Sequence, residues 1–307
     1  MGASDPSRPP DARQSDDVVA RRLASIVAAV EDATGEVLAG SPEGVHDLRV
    51  AIRRGRACLR TFRPLFERDR TERLRRELGW MTTMLGSARD PEVLARRLAR
   101  RLDRLDVEER MGPVRRELVG DCRAEADRGR AAVLAAFETV RFRRLLVELA
   151  AVAACPPYRA GRSGRDAETL LGCVRKEVRR AVRRADRAEA QAPGPRRDAA
   201  FHDVRKAAKR VRYAAETVRP LAPTGARRLG RRFEVLQDVL GERQDAAVAR
   251  RLLVREGARV GVQVAHNGFT YGLMAEQERA SVRAVERRWP GAWRRATSKK
   301  ARRFLSP

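Results

Sequence analysis

The chain has 307 residues, enough for one large domain or two ordinary ones, with 43% hydrophobic and 35% charged residues. Its 67 Lys and Arg against 41 Asp and Glu give a net charge of +26, which predicts a polyanionic, phosphate-bearing partner rather than any particular fold. The absence of an opening apolar h-region, of a bilayer-length apolar run and of any C-x-x-C pair argues against secretory, membrane-spanning and zinc or disulfide classes. Cys58, Cys122, Cys155 and Cys173 are expected to be reduced, buried thiols of a soluble cytoplasmic protein.

Residues 1–16 are rich in Pro, Ser and Asp and read as a disordered tail. Apolar residues then recur at helical spacing, with no alternating strand. A helix near 17–39 ends at "AGSPEG" (39–44), and Ser41-Pro42 are expected to start the next one, which carries Val45–Leu65. Leu74, Leu78, Met81 and Leu85 mark one face of a third helix, closed by "LGSARD" (85–90) with Gly86 at C′ and Asp90 as the N-cap of a fourth. Helices near 91–104 and 108–137 lead to "CPPYRAGRSGR" (155–165), the best candidate for a linker. The second half reads alike. A helix near 166–190 is followed by "QAPGPRR" (191–197), a helix started by Asp198 and carrying Phe201–Leu221, then Leu229, Phe233, Leu236 and Leu240. "LGERQD" (240–245) repeats the punctuation with Gly241 and Asp245, helices near 246–257 and 265–288 come next, and 301–307 read as a basic tail.

The halves share more than rhythm. "VHDLRVAIRRGRACLRTFRPL" and "FHDVRKAAKRVRYAAETVRPL" agree at ten of 21 positions without a gap. The fold class is therefore all-α, with two pseudo-symmetric four-helix-bundle-like lobes (17–160 and 161–300) from an internal duplication. On a helical wheel His46, Arg49, Arg53, Arg56 and Arg60 fall within a sector of about 80°, beside an apolar sector of Leu48, Ile52, Leu59 and Phe62. His202, Arg205, Lys209 and Arg212 repeat the stripe beside Val204, Val211 and Val218.

An Arg-rich face is ordinarily just solvated. Here five basic residues coincide under the repeat (Arg49/Arg205, Arg53/Lys209, Arg54/Arg210, Arg56/Arg212 and Arg63/Arg219), where this composition gives about one by chance. The next helix adds Arg73/Arg228 and Arg76/Arg231. Solvation asks for charge, not for charge at matched places, so the stripes read as a binding surface. Both histidines are expected near helix N-termini, either touching a bound anion or bracing the helix start. Asp47 and Asp203 read as dipole partners, Tyr213 as an unmatched residue on the basic face, and His266 as incidental. No metal site and no cofactor are expected, since no ligand set has the required spacing.

"HDLRVAIRR" (46–54) and "HDVRKAAKR" (202–210), each followed by the L-G-x-x-x-D element, resemble the CHAD family, the conserved histidine α-helical domain, over about residues 17–300. The resemblance implies two four-helix bundles about a pseudo-twofold axis whose basic faces line one groove for inorganic polyphosphate. It carries His46, Arg49, Arg53, Arg54, Arg56, His202, Arg205, Lys209, Arg210 and Arg212 into the expected site; the stripe and the next helix add Arg60, Arg73, Arg76, Arg228 and Arg231. Glu216 opposite Arg60, and Gln244 opposite Arg89, depart from the symmetry. Such a ligand suggests association with cytoplasmic polyphosphate granules.

Two other functions compete. Nucleic acid offers the same charge, but the stripes hold no Asn or Gln to read bases and only Tyr213 to stack on them. A relative of, or accessory to, a polyphosphate-metabolising enzyme is the other. No E-x-E-x-K strand, Walker loop, nucleophile elbow or carboxylate cluster accompanies the stripes, so the chain is read as a binding module with no catalytic residues.

Overall fold

The computed structural model describes residues 17–262 and 267–306; the expected tail at 1–16 and His266 lie outside them. The described residues form helices without a strand: α1 (Val18–Leu38), α2 (Gly44–Thr61), α3 (Arg68–Leu102), α4 (Asp121–Phe137), α5 (Val140–Ala154), α6 (Ala167–Glu189), α7 (Pro195–Thr217), α8 (Pro223–Val260), α9 (Phe269–Ala296) and α10 (Lys299–Arg302). The all-α class agrees with the helical periodicity.

Sequential helices pack on one another in both halves, α1 on α2 on α3 on α4 and α6 on α7 on α8 on α9, while α2 also packs on α7. The apolar sectors read from the wheel are the packed ones: Leu48, Ile52, Leu59, Phe62, Val204, Val211 and Val218 are all buried. One apolar cluster runs through residues of both halves, from Val18 to Leu305. A second joins the far ends of α3 and α8 to their neighbours, with Leu98, Leu102, Leu253, Tyr271 and Met274 at its centre.

The expected break at "LGSARD" and its copy does not occur. α3 continues from Arg68 to Leu102 through Pro91, and α8 from Pro223 to Val260 through Gly241 and Asp245. Pro91 removes the N–H that would bond the Ser87 carbonyl. At that carbonyl the backbone of α4 approaches closely, since a methyl group on Gly129 would lie 2.3 Å from the Ser87 oxygen. Packing on both flanks holds a helix that local signals would end.

Helix starts also differ from the reading. α2 begins at Gly44 with Glu43 as its N-cap and no side-chain cap bond, so Ser41-Pro42 lie in the turn before it. α7 begins at Pro195, three residues before Asp198.

The 155–165 connection is pinned rather than loose. Asp17 caps α1 by accepting from the Ala20 N–H (2.8 Å), and also accepts from the Tyr158 hydroxyl (2.9 Å) and the Gly164 N–H (3.2 Å). Tyr158 stacks on Phe66 at 5.4 Å, and Glu67 N–H donates to the Pro157 carbonyl at 2.8 Å. Likewise the chain end is folded: Ala301 and Leu305 are buried, and Phe304 covers Gly225 so closely that a Cβ there would meet its ring at 2.5 Å. Cys58, Cys122 and Cys173 are buried as expected, and burial raises the Cys58 thiol to about 12; Cys155, at the end of α5, is exposed.

Candidate functional site

The α2–α7 contact brings the two basic stripes to one place. Two adjoining hollows of about 700 and 430 Å³ lie over it, and both are lined by His46, Arg53, Arg205 and Lys209, with Arg97 and Asp245 between them. Arg49 and His202 complete the smaller one, Arg54, Arg212 and Tyr213 the larger. Together they form a groove with walls from α3 and α8.

Those walls explain the repeated punctuation. With the helices continuous, Gly86 and Asp90 share a face of α3 one turn apart, and Gly241 and Asp245 share a face of α8. Gly241 makes room for Arg205, whose guanidinium would stand 3.3 Å from an added Cβ; Gly86 lies under Asp90 and Arg49 in the same way, at 3.4 and 3.9 Å. Asp90 accepts from Arg49 at 2.5 Å and 3.2 Å. Gly86 and Gly241 are thus slots for the first arginine of each stripe rather than helix stops, and the aspartates are charges in the groove rather than N-caps. Burial pushes the Asp245 carboxyl up, against the pull of Arg205, Arg97 and Lys209.

Compensation by acid is uneven. Arg54 and Arg212 share Glu216 (3.3 and 3.1 Å) with Arg22 (2.7 Å), and Arg212 also reaches Glu234 at 3.0 Å. Both guanidinium groups stand about 6 Å from the Tyr213 ring centre, at 5.9 and 6.0 Å, which gives that residue a place in the site. Arg53, Arg205 and Lys209 make no ion pair among the described residues, and the Nε atoms of Arg53 and Arg205 are buried without a partner. Lys209 is pushed down to about 6, first by burial and then by Arg205, Arg53 and Arg49. Burial likewise lowers Arg53. Concentrated positive charge at this point is held without a direct ion pair, with Asp245 acting on Lys209 and Asp90 on Arg53 only at longer range.

The two histidines face the groove from unequal positions. His46 is the third residue of α2, within its first turn, whereas His202 is the eighth of α7 and clear of the N-terminus. The earlier start at Pro195 also removes Asp203 from the first turn; it pairs with Lys206 at 3.1 Å instead. Burial is the main cause that lowers both imidazoles, aided by Arg89 at His46 and by Lys206 and Arg205 at His202. The Nδ1 of His202 is buried without a hydrogen-bond partner.

Seven residues of the expected site lie outside the groove. Arg56 covers Gly79, at 3.4 Å from an added Cβ, and Arg60 turns to a different hollow at the far end of α2. Arg73 pairs with Glu148 at 3.0 Å, Arg76 and Arg231 are exposed on the outer flanks of α3 and α8, and Arg228 lines a hollow beside α10. Arg210 is tied to the buried Glu177 at 3.2 Å. A wheel gives the angle of a side chain, not the element that covers it further along.

Conversely, the sequence reading missed Arg97, whose Nε donates to the fully buried Glu278 at 2.8 Å, and the groove roles of Asp90 and Asp245. Arg97 has Leu252 as its repeat counterpart, so matching gave no signal. Running α3 unbroken through Gly86 would have placed 86, 90 and 97 on one face.

Among the described residues no helix is long and apolar enough to cross a membrane, and no group of three His, Cys, Asp or Glu could hold a metal ion. Two curated Mycobacterium tuberculosis proteins, the uncharacterized proteins MT2285 and Rv2226, are each 33% identical over 279 residues, covering 91% of this chain and 53% of theirs. The chain thus spans about half the length of the curated relatives it matches. Among solved structures it is similar to PptA from Streptomyces chartreusis (TM-score 0.73, 22% identity, 91% of this chain and 99% of that one). It is also similar to the CHAD domain from the plant Ricinus communis (TM-score 0.63, 24% identity, 94% and 91%). At these identities the likeness concerns the fold. The CHAD domain model matches residues 20–254, and the chain belongs to the CHAD family.

Proposed function

We propose that the groove between α2 and α7 binds inorganic polyphosphate, as a binding module rather than an enzyme. The observation that carries this reading is the set Arg53, Arg205 and Lys209, drawn from both halves into the same hollows and making no ion pair among the described residues, so that Asp245 offsets their charge only in part. A buried cluster of like charge is costly by itself, and a polyanion that supplies one negative charge per phosphate relieves it. Guanidinium groups can grip phosphate oxygens in pairs, and the histidines add neutral or protonated donors.

The groove offers one aromatic ring, Tyr213, and its two amide side chains, Gln237 and Gln244, stand on the walls rather than in the stripes. Base stacking and edge reading would need more than this, which favours a bare phosphate chain over nucleic acid. Its location in the cell would follow the ligand, in the cytoplasm at polyphosphate granules.

Competition at physiological salt tests the reading. Long polyphosphate should displace labelled single-stranded DNA and RNA at equal charge concentration, while neither displaces polyphosphate efficiently. Equal competition by all three would reduce the groove to a general polycation.

A further inference from the structure

A hollow of about 800 Å³ lies at the opposite end of α2 from His46, between the C-terminus of α2, the start of α3 and the length of α6. Ten of its twelve lining residues are Arg or Lys and none is acidic. α6 presents Lys176, Arg180, Arg184 and Arg187 along one face, which covers about 16 Å of helix. Its opposite face, with Val174, Val178, Ala181 and Ala185, is buried in the core, so the basic face is fixed in direction.

Two of these charges have counter-ions: Arg180 pairs with Glu177 at 2.5 Å, and Arg75 pairs with Glu72. Arg159 from the 155–166 connection is spent on the Phe66 carbonyl at 2.8 Å. Among the described residues Arg60, Arg63 and Arg68, and on α6 Lys176, Arg183, Arg184 and Arg187, make no ion pair. Crowding is felt at Arg60, which burial lowers, with Arg75, Arg184 and Arg180 adding to the effect against Glu177.

A second observation concerns the lining of the same hollow. Thr61, 4% exposed and on its lining, has a buried hydroxyl without a hydrogen-bond partner. Its repeat counterpart Thr217 donates to the Tyr213 carbonyl four residues back, at 2.9 Å. That local bond is the ordinary outcome for a helical threonine. An unpaired buried hydroxyl among uncompensated cations suits an oxyanion as acceptor.

We propose that this hollow is a second anion site, separate from the groove, for a compact anion carrying several phosphate groups. Its volume falls in the range of small-ligand pockets, and several guanidinium groups from three elements can surround one such anion. The source is either a free oligophosphate or a stretch of a longer polyphosphate chain.

Calorimetric titration of the full chain with tripolyphosphate tests this at fixed ionic strength. The pair Arg184→Ala and Arg187→Ala should weaken binding about ten-fold or more, against less than two-fold for Arg123→Ala and Arg128→Ala, exposed residues of α4. Thr61→Val keeps the shape and removes the hydroxyl; it should weaken binding several-fold while the melting temperature holds. The groove pair Arg53→Ala and Lys209→Ala should leave tripolyphosphate binding in this hollow intact, so failure of the groove reading is distinguishable from failure here. Equal losses from the α6 and α4 pairs, or abolition by the groove pair alone, would overturn the proposal. Displacement of tripolyphosphate by long polyphosphate supports the site with the polymer as its source, and lack of displacement supports it with a free oligophosphate.

Discussion

α2 and α7 carry matched 21-residue stretches, identical at ten positions, yet their C-terminal ends form different surfaces. At the end of α7, Glu216 gathers Arg22, Arg54 and Arg212 into an ion-paired cluster, and Thr217 is bonded to its own helix. At the end of α2 the same two positions are Arg60 and Thr61; the arginine has no ion pair among the described residues and the hydroxyl has no partner. One position of the repeat decides much of this. A carboxylate in place of a guanidinium turns repelling arginines into a mutually supported set, while its absence leaves charge for something else to neutralise. Near the other ends of these helices the two copies face each other across the groove, and there the matched positions stayed basic. At the C-terminal ends the flanking Thr, Arg, Pro and Leu are kept in both copies, so the change at Arg60 and Glu216 stands out against a matched background.

The largest effect should come from breaking the shared part. Arg53→Ala with Lys209→Ala should weaken long-polyphosphate binding by about 100-fold or more, and flatten the dependence of log affinity on log salt by roughly 0.9 per removed cation. Arg54→Ala with Arg212→Ala, whose charges are already met by Glu216 and Glu234, should lose far less. Affinity measured across a salt series checks both. Equal losses would mean that ion pairing within the protein does not grade the arginines.

Restoring symmetry at the divergent ends should act next most strongly. Glu216→Arg removes the carboxylate that three arginines share and adds a fourth cation, so the melting temperature should fall by several degrees. The reverse change, Arg60→Glu, relieves crowding with Arg75, Arg184 and Arg180, and should raise the melting temperature while weakening tripolyphosphate binding. Thermal melts of both proteins at low salt, where surface electrostatics are strongest, read the difference.

Proton linkage sharpens the contrast between the groove and the rest. The unfolded chain holds the Lys209 proton up to about 10.5, whereas the folded protein without ligand sheds it near 6. The unfolded state therefore binds more protons across that window, and stability of the free protein should climb as pH rises through it. Bound polyphosphate favours the ammonium form, so affinity should rise as pH falls from 8 towards 6 and level off below. Lys209→Met should remove most of this dependence. The histidines, lowered from 6.5 by burial, should contribute only at the acid end, and the His46→Gln, His202→Gln pair should flatten the profile there alone. Affinity titrated from pH 8 to 5 in the three proteins separates the two contributions.

The smallest effect concerns the matched threonines. Thr217→Val loses a buried hydrogen bond and should cost about 1 kcal/mol, while Thr61→Val has no bond to lose and should be neutral or slightly stabilising without ligand. Denaturant unfolding of the pair would show it.

The sequence made the all-α class legible through its 3.6-residue rhythm, and the two stripes through their coincidence at matched positions. Local punctuation misled it at Gly86 and Gly241, because a glycine before an aspartate signals a helix end only when nothing packs beside it. Here α4 closes on Ser87 and the groove arginines lie over the glycines, so both helices run on. The same error turned Asp90 and Asp245 into caps and hid Arg97.

By itself, the sequence determined that this chain is helical, that its two halves repeat, that it carries a large excess of positive charge, and which apolar residues beside each stripe are buried, because all of these depend on spacing and composition along the chain. Only the tertiary structure decided which of the basic residues share a groove, which are neutralised by acids such as Glu177 and Glu216, and that α6 builds a separate basic hollow against the end of α2. Those outcomes depend on which element lies over a given face and how much water it removes, and charges far apart in the chain enter that balance as strongly as neighbours do.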